Sequence, residues 1–238
     1  MAYQAVFKRY ELKYLLTAEQ KERLLQVMQP YMALDQYGRT TIRNIYFDTE
    51  NYRLIRRSIE KPVYKEKLRI RSYRKAEKKD KVFVELKKKY DGVVYKRRIS
   101  MPLQQAMDWV CNGVAAPDSQ IGREIEYFRN YYTGLRPAVY LSYEREAFYS
   151  KDGSDFRVTF DENIRARQDD LSLDTEPGGK ALLPENTVLM ELKTGGAIPL
   201  WMTRELTRLK IYKASFSKYG KAYEQLIFHG GMNDGSAV

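Results

Sequence analysis

Basic side chains recur at every second position in several strand-like runs of this chain, and that spacing is what could do chemistry. Lys67, Arg69 and Arg71 alternate with Leu68 and Ile70. Side chains at i, i+2 and i+4 of a strand share a face, so these three cations would stand together. Arg9, Glu11 and Lys13 do the same opposite Tyr10, Leu12 and Tyr14. Glu85, Lys87 and Lys89 oppose Val84 and Leu86; Lys96 and Arg98 share a face, although Arg97 interrupts the pattern. Further on, Tyr143 and Arg145 are in phase. Arg157, Thr159 and Asp161 oppose Phe156, Val158 and Phe160, and Glu191 and Lys193 oppose Val188, Met190 and Leu192. Guanidinium forks and ammonium groups match phosphate oxygens. The few carboxylates among them suit a divalent ion that bridges phosphates.

On any one strand such a face is an ordinary solvated surface. Soluble outer faces, however, usually intersperse both charge signs, and these are heavily Lys and Arg. If the sheet closes with these faces inward, two like charges 4 Å apart repel by about 4 kcal/mol at an effective dielectric near 20. An interior of this kind is tolerable only when it is wet or holds an anion. A tunnel that takes a linear phosphate chain meets the condition.

The elements that must position these residues are legible in outline. Thr17-Ala18-Glu19-Gln20 reads as a capping box opening a helix that stops near Pro30. Arg43 to Asp48 reads as a strand, with Thr49 capping a short helix after it. Strands follow over Val63–Arg74, Lys81–Lys89 and Val93–Met101, the last two joined at Asp91-Gly92. Leu103–Val110 and Arg123–Tyr132 read as helices; Ala138–Tyr149, Phe156–Phe160 and Val188–Lys193 read as strands. Asp169–Pro184 is polar and reads as an exposed loop, and Leu200–Leu209 and Ser217–Phe228 as helices. Strands spread along the chain with helices between them predict one α+β domain over residues 1–230, an antiparallel barrel flanked by helices, with a disordered tail at 231–238.

Composition narrows the partners. The 238 residues carry 42 Lys and Arg against 31 Asp and Glu, a formal charge of +11, which points to a polyanion. Aromatics do not interleave with basics on one recognition element, and no RNA-binding signature occurs, so nucleic acid is not the expected partner. One cysteine, Cys111, and one histidine, His229, exclude a disulfide and clustered His or Cys metal sites. No apolar leader region and no 18-residue apolar run occur, which predicts a cytoplasmic chain without a membrane span.

Eight short motifs, in order, resemble the VTC (vacuolar transporter chaperone) domain of the triphosphate tunnel metalloenzymes, or CYTH superfamily. They are Tyr10-Glu11-Leu12-Lys13-Tyr14, Ile45-Tyr46-Phe47-Asp48, Leu68-Arg69-Ile70-Arg71, Val82-Phe83-Val84-Glu85-Leu86-Lys87, Tyr143-Glu144-Arg145, Arg157-Val158-Thr159-Phe160-Asp161, Leu189-Met190-Glu191-Leu192-Lys193 and Ser215-Phe216-Ser217-Lys218-Tyr219. The resemblance implies a β-barrel tunnel in which ATP and polyphosphate meet, with transfer of the γ-phosphate onto the growing chain using Mn²⁺ or Mg²⁺. A triphosphatase or polyphosphatase on the same fold, and a non-catalytic polyphosphate binder, are the alternatives. Carried over by motif, Lys13, Arg69, Arg71, Lys87, Arg145 and Arg157 form the catalytic set, with Glu191 as both catalytic residue and metal ligand. Lys96, Tyr143, Lys193 and Lys218 are substrate contacts by the same resemblance, Lys218 with helix N–H groups adding to its field. Glu11, Glu85, Lys89 and Arg98 join them through the alternation. The family's eukaryotic polymerases have a second Lys where this chain has Ser215, for which Lys213 is a candidate replacement.

Overall fold

The computed structural model describes residues 7–228, with only the backbone described at 7–9; His229 and the expected tail at 231–238 lie outside them. Ten strands form one antiparallel sheet: β1 (Phe7–Thr17), β2 (Met32–Leu34), β3 (Thr40–Asp48), β4 (Tyr64–Ser72), β5 (Lys81–Tyr90), β6 (Val93–Pro102), β7 (Arg136–Ser150), β8 (Arg157–Arg167), β9 (Lys180–Ala181) and β10 (Thr187–Thr194). The order is β2-β7-β3-β4-β5-β6-β1-β10-β8-β9, and β7 also pairs with β8. That last pairing, Tyr149↔Arg157 through Tyr140↔Arg167, joins the two sides of the sheet, so eight strands run in a ring. Among the described residues the seam between β1 and β6 is the shortest in the ring, three residue pairs from Phe7↔Lys96 to Arg9↔Val94.

Alternation decides what lies on each side of the wall. Leu68, Ile70, Val82, Val84 and Leu86 face outward and are covered by α3 (Leu103–Asn112) and α4 (Gln120–Tyr131), with Trp109 and Phe128 in the same core. Leu16, Val158, Phe160, Met190 and Leu192 face outward under α1 (Ala18–Met28) and α5 (Leu200–Arg208). Burying these apolar faces on both sides of the ring supplies the driving force for closure. It leaves the opposite, charged faces inside.

The inner surface is not uniform. β8 carries an irregularity against β7 between Ser142 and Glu144, where Asn163 takes a left-handed φ of 49°. The extra residue flips the alternation. Asp161 faces inward before it, and Ile164 and Ala166 face inward after it. They meet Ile42, Tyr46, Leu141 and Leu189, and α6 (Lys218–Ala222) packs Tyr219 and Ala222 on them. The bore is therefore charged along one stretch and filled by an apolar floor at the other.

Several local expectations hold. Thr17 and Gln20 form the capping box of α1, and Asp91 and Gly92 both take positive φ in the β5–β6 hairpin, as its two-residue turn requires. Others change. α2 (Arg53–Ile59) starts after Tyr52; Thr49 still accepts from its first N–H, Arg53, at 3.0 Å, while the buried Asp48 carboxylate accepts from the N–H groups of Thr49, Leu54 and Ile55 and from the Tyr219 hydroxyl at 2.8–3.0 Å. Asp48 thus ties α2 to α6. Asp48→Ala leaves two buried N–H groups without an acceptor and is expected to cost about 3 kcal/mol. For a chain of this size that lowers Tm by roughly 6–12 °C; an unchanged thermal melt would show that Asp48 anchors nothing.

The Asp169–Pro184 segment is not simply an exposed loop. Leu173 and Leu182 are buried, and Ala76 donates its N–H to the Leu173 carbonyl at 3.0 Å. Arg167, its guanidinium 3.8 Å from the Tyr140 ring centroid, donates to the Asp170 and Glu176 carbonyls and to Thr175. The Ser217–Phe228 helix forms as expected, with Ser217 as its N-cap; it is α-helical over Lys218–Ala222 and continues as π-helix over Tyr223–Phe228.

Candidate active site

Inside the ring the cations are organised around four carboxylates from four strands. On β5, Glu85 is fully buried. Arg69 grips it through Nε at 2.8 Å and a terminal nitrogen at 2.6 Å, and Lys96 lies 2.6 Å from its other oxygen. Arg71 and Arg98 stand at 3.7 and 3.9 Å. Burial alone would raise the Glu85 carboxyl, but Arg71, Arg69 and Lys96 outweigh it and hold the group well below the usual carboxylate range. Burial, despite Glu85, lowers Lys96 to about 7, with Arg71 and Arg69 adding to the effect.

Across the bore, Asp161 on β8 accepts a two-point contact from Arg145 at 2.5 and 2.6 Å, and Lys218 reaches its second oxygen at 2.5 Å. Glu191 on β10 stands next to this pair. Lys193 is 3.1 Å away, Lys13 and Lys218 3.4 Å, and Arg145 3.5 Å. Burial opposes its charge, but Lys218, Lys193, Lys13 and Arg145 together hold it well below its ordinary value. Burial pulls Lys218 down, yet Asp161 and Glu191 raise it overall. On β1, Glu11 is 2.5 Å from Lys87; burial raises its carboxyl, and Lys87 more than reverses this, to about 2.

Neutral groups fix the arginines. Tyr46 accepts from Arg69 at 2.9 Å, while Arg71 donates to Asn44 and to the Tyr143 hydroxyl, both at 3.1 Å. Burial raises the Tyr143 phenol, but Arg145, Arg71 and Lys218 outweigh that and lower it. The guanidinium planes are thereby held with part of their donor set committed to the wall, which preorganises the rest for an anion.

The structure thus brings together Lys13, Arg69, Arg71, Glu85, Lys96, Tyr143, Arg145, Glu191, Lys193 and Lys218, with Glu11 and Lys87 beside them. Two expected residues lie apart from the ion-paired groups. Arg157 is exposed at the start of β8, in register with Lys193. Lys89 stands near the end of β5 opposite Lys65. Their phase is right, but their position near a strand end puts them towards a mouth. Arg98, in register with Glu85 in the middle of β6, stays at the edge of the Glu85 group at 3.9 Å and lies 4.3 Å from the centroid of Phe83. Lys213 is exposed, so it does not replace the absent lysine at Ser215. Lys218 is the first residue of the helix, as expected, and Ser217 caps the Gly220 N–H there. Residues missing from the expected set are Asp161, Lys67, Asn44 and Tyr46. Asp161 and Lys67 were in phase with Arg157 and Arg69, a signal sufficient to find them.

A metal cage made by the protein alone does not fit. Among the described residues no three or more Asp, Glu, His or Cys side chains converge. Glu191 is the carboxylate that would hold a divalent ion together with a phosphate ligand.

A closed antiparallel barrel with a basic bore, flanked by helices, defines a triphosphate-tunnel fold. The VTC domain model matches residues 8–227, and the chain belongs to that family. A candidate adenylate cyclase of Bacillus halodurans is similar in structure, at 14% identity and a TM-score of 0.59 over 90% of this chain and 96% of the other. A candidate adenylyl cyclase of Hippeastrum with a dominant triphosphatase activity is similar at 16% identity and 0.56, covering 94% and 96%. No curated protein sequence matches the chain. Family membership ties the barrel to polyphosphate and triphosphate chemistry. No described helix is long and apolar enough to cross a membrane.

Proposed function

We propose that the chain is an ATP-dependent polyphosphate polymerase that moves the ATP γ-phosphate onto the end of a polyphosphate chain within the bore. The observation that carries the reading is the ring of Lys13, Lys193, Arg145 and Lys218 within 3.5 Å of Glu191, opposite the Arg69–Glu85–Lys96 group. Phosphoryl transfer needs alignment and charge neutralisation more than covalent help from the protein. Lys13, Lys87 and Lys193 would hold the chain of phosphates in line. Arg69, Arg71 and Arg145, locked by Tyr46, Asn44, Tyr143 and Asp161, would receive the charge on the transferring group. A terminal phosphate is already an anionic nucleophile, so no general base is needed. A bound Mn²⁺ or Mg²⁺ on Glu191 would supply charge neutralisation at the phosphate oxygens.

Purified protein given ATP and Mn²⁺ is expected to produce a polyphosphate ladder on a gel. Arg69→Ala is expected to lose about 10²–10³-fold in rate. Inorganic phosphate as the sole product would assign the chain to the hydrolases of this fold instead. Metal-independent binding without turnover would leave a polyphosphate-binding domain.

A further inference from the structure

The wall of the ring carries a second concave site on its outer side. A cleft of about 320 Å³ is lined by Tyr64 of β4, Lys88 and Tyr90 of β5, Tyr95 and Arg97 of β6 and Glu124 of α4. Across the strands Tyr64 pairs with Tyr90, Lys88 with Tyr95 and Leu86 with Arg97. The five strand residues therefore share the outward face of Leu68 and Leu86, away from the bore. Their three rows span about 13 Å along the wall. Arg97 donates through Nε to Glu124 at 2.9 Å. Its Nη1 is buried and meets no acceptor, a state that folded proteins rarely leave unanswered. Among the described residues Lys88 makes no ion pair, and Tyr90 is 57% exposed.

Aromatic walls, a donor beside an acceptor and an uncompensated cation suit a planar, anionic ligand with a mixed polar edge. The size suits one small molecule and not a polymer. We infer that the cleft binds a purine nucleotide outside the bore. The base lies against Tyr95 and sets its polar edge on Arg97 and Glu124. Held by Glu124 at Nε, the guanidinium can turn Nη1 onto a base acceptor, while the carboxylate takes a base N–H. The phosphate meets the Lys88 ammonium, and Tyr64 and Tyr90 flank the sugar at the open end. Lys87 and Lys96, each one residue away on the same strands, point to the opposite side of the wall. A nucleotide held here therefore leaves the bore open to a phosphate chain, and the inference stands apart from the reading of the bore.

The test is calorimetric titration of the full chain with guanosine monophosphate, with and without saturating inorganic tripolyphosphate, for wild type, Tyr95→Ala and Lys88→Met. The O6 and N1–H of this probe put an acceptor beside a donor, as Arg97 and Glu124 require. Wild type is expected to bind the nucleotide saturably, with a Kd that tripolyphosphate shifts by less than about twofold, as for independent sites. Tyr95→Ala should weaken binding about tenfold through lost stacking. Lys88→Met should weaken it about tenfold through the lost charge-assisted contact. Both variants should keep the wild-type Kd for tripolyphosphate itself. Lys88 holds no ion pair, so Lys88→Met decides the matter if Tyr95→Ala does not fold. Absence of saturable nucleotide binding, its displacement by tripolyphosphate, or an unchanged nucleotide Kd in either folded variant overturns the inference. Failure of wild type to bind tripolyphosphate would instead sink the reading of the bore.

Discussion

Glu191→Gln is expected to lower phosphate transfer from ATP by about 10²–10³-fold while tightening the metal-free grip on tripolyphosphate. The two halves come from different properties of one side chain. In the proposed reaction Glu191 would hold the metal through its charge, which an amide of the same shape does not replace. As a counter-ion, it lies 3.1–3.5 Å from Lys193, Lys13, Lys218 and Arg145 and competes with phosphate for them. At an effective dielectric near 20, removing one negative charge several ångströms from a phosphate relieves a few kcal/mol of repulsion. A gain of tenfold or more in affinity follows even after screening. Calorimetry with tripolyphosphate and no metal reads the second half, and product formation from ATP with Mn²⁺ reads the first. A variant that binds more weakly and still makes product contradicts both roles of Glu191.

Much of this site was legible because a strand writes its faces into the sequence with period two. Arg69, Arg71, Glu85, Lys87, Arg145 and Glu191 stand in phase with apolar neighbours that need a core, so the charged set had to lie on the other side. What phase does not carry is position along the bore. Arg157 and Lys89 have the correct parity, yet each lies near the end of its strand, where the face opens to water. Nor does phase survive a bulge. Asn163 bears no glycine signal, but its left-handed backbone turns Ile164 and Ala166 inward and begins the apolar floor. The Asp169–Pro184 segment misleads through composition: its polar residues hide Leu173 and Leu182, which enter the core. Thr49 was the expected cap of α2 because it follows the strand. Thr49 does accept from the first helical N–H, that of Arg53, at 3.0 Å, but the buried Asp48 carboxylate takes the next two, Leu54 and Ile55, because its charge must find donors.

The charge load of the bore predicts a second large effect, at Glu85. This carboxylate is fully buried and shared by Arg69 and Lys96 at 2.6 Å, with Arg71 and Arg98 farther out. Glu85→Ala leaves these cations facing one another, although Arg69 keeps Tyr46 and Arg71 keeps Asn44 and Tyr143. Removing one partner of a buried ion pair costs about 3–5 kcal/mol, or roughly 6–20 °C in Tm at this chain length. The sign with pH is fixed by the direction of the shift. The folded carboxyl titrates well below its ordinary 4.5, so its stabilisation is present above that pH and is lost as pH falls through the depressed value. Wild-type and Glu85→Ala melting points should therefore converge on acidification and stay apart at neutral pH. Tripolyphosphate at a hundred times its Kd adds about 2.7 kcal/mol to either protein. At equal concentration it should close part of the gap between them, because phosphate oxygens replace the missing carboxylate and bind the variant more tightly. Melting curves of both proteins, with and without tripolyphosphate at pH 7.5 and in a descending series below pH 4.5, measure all of this. A gap that tripolyphosphate leaves untouched would mean that the anion never meets Arg69 and Lys96, and that the bore does not hold phosphate at this level.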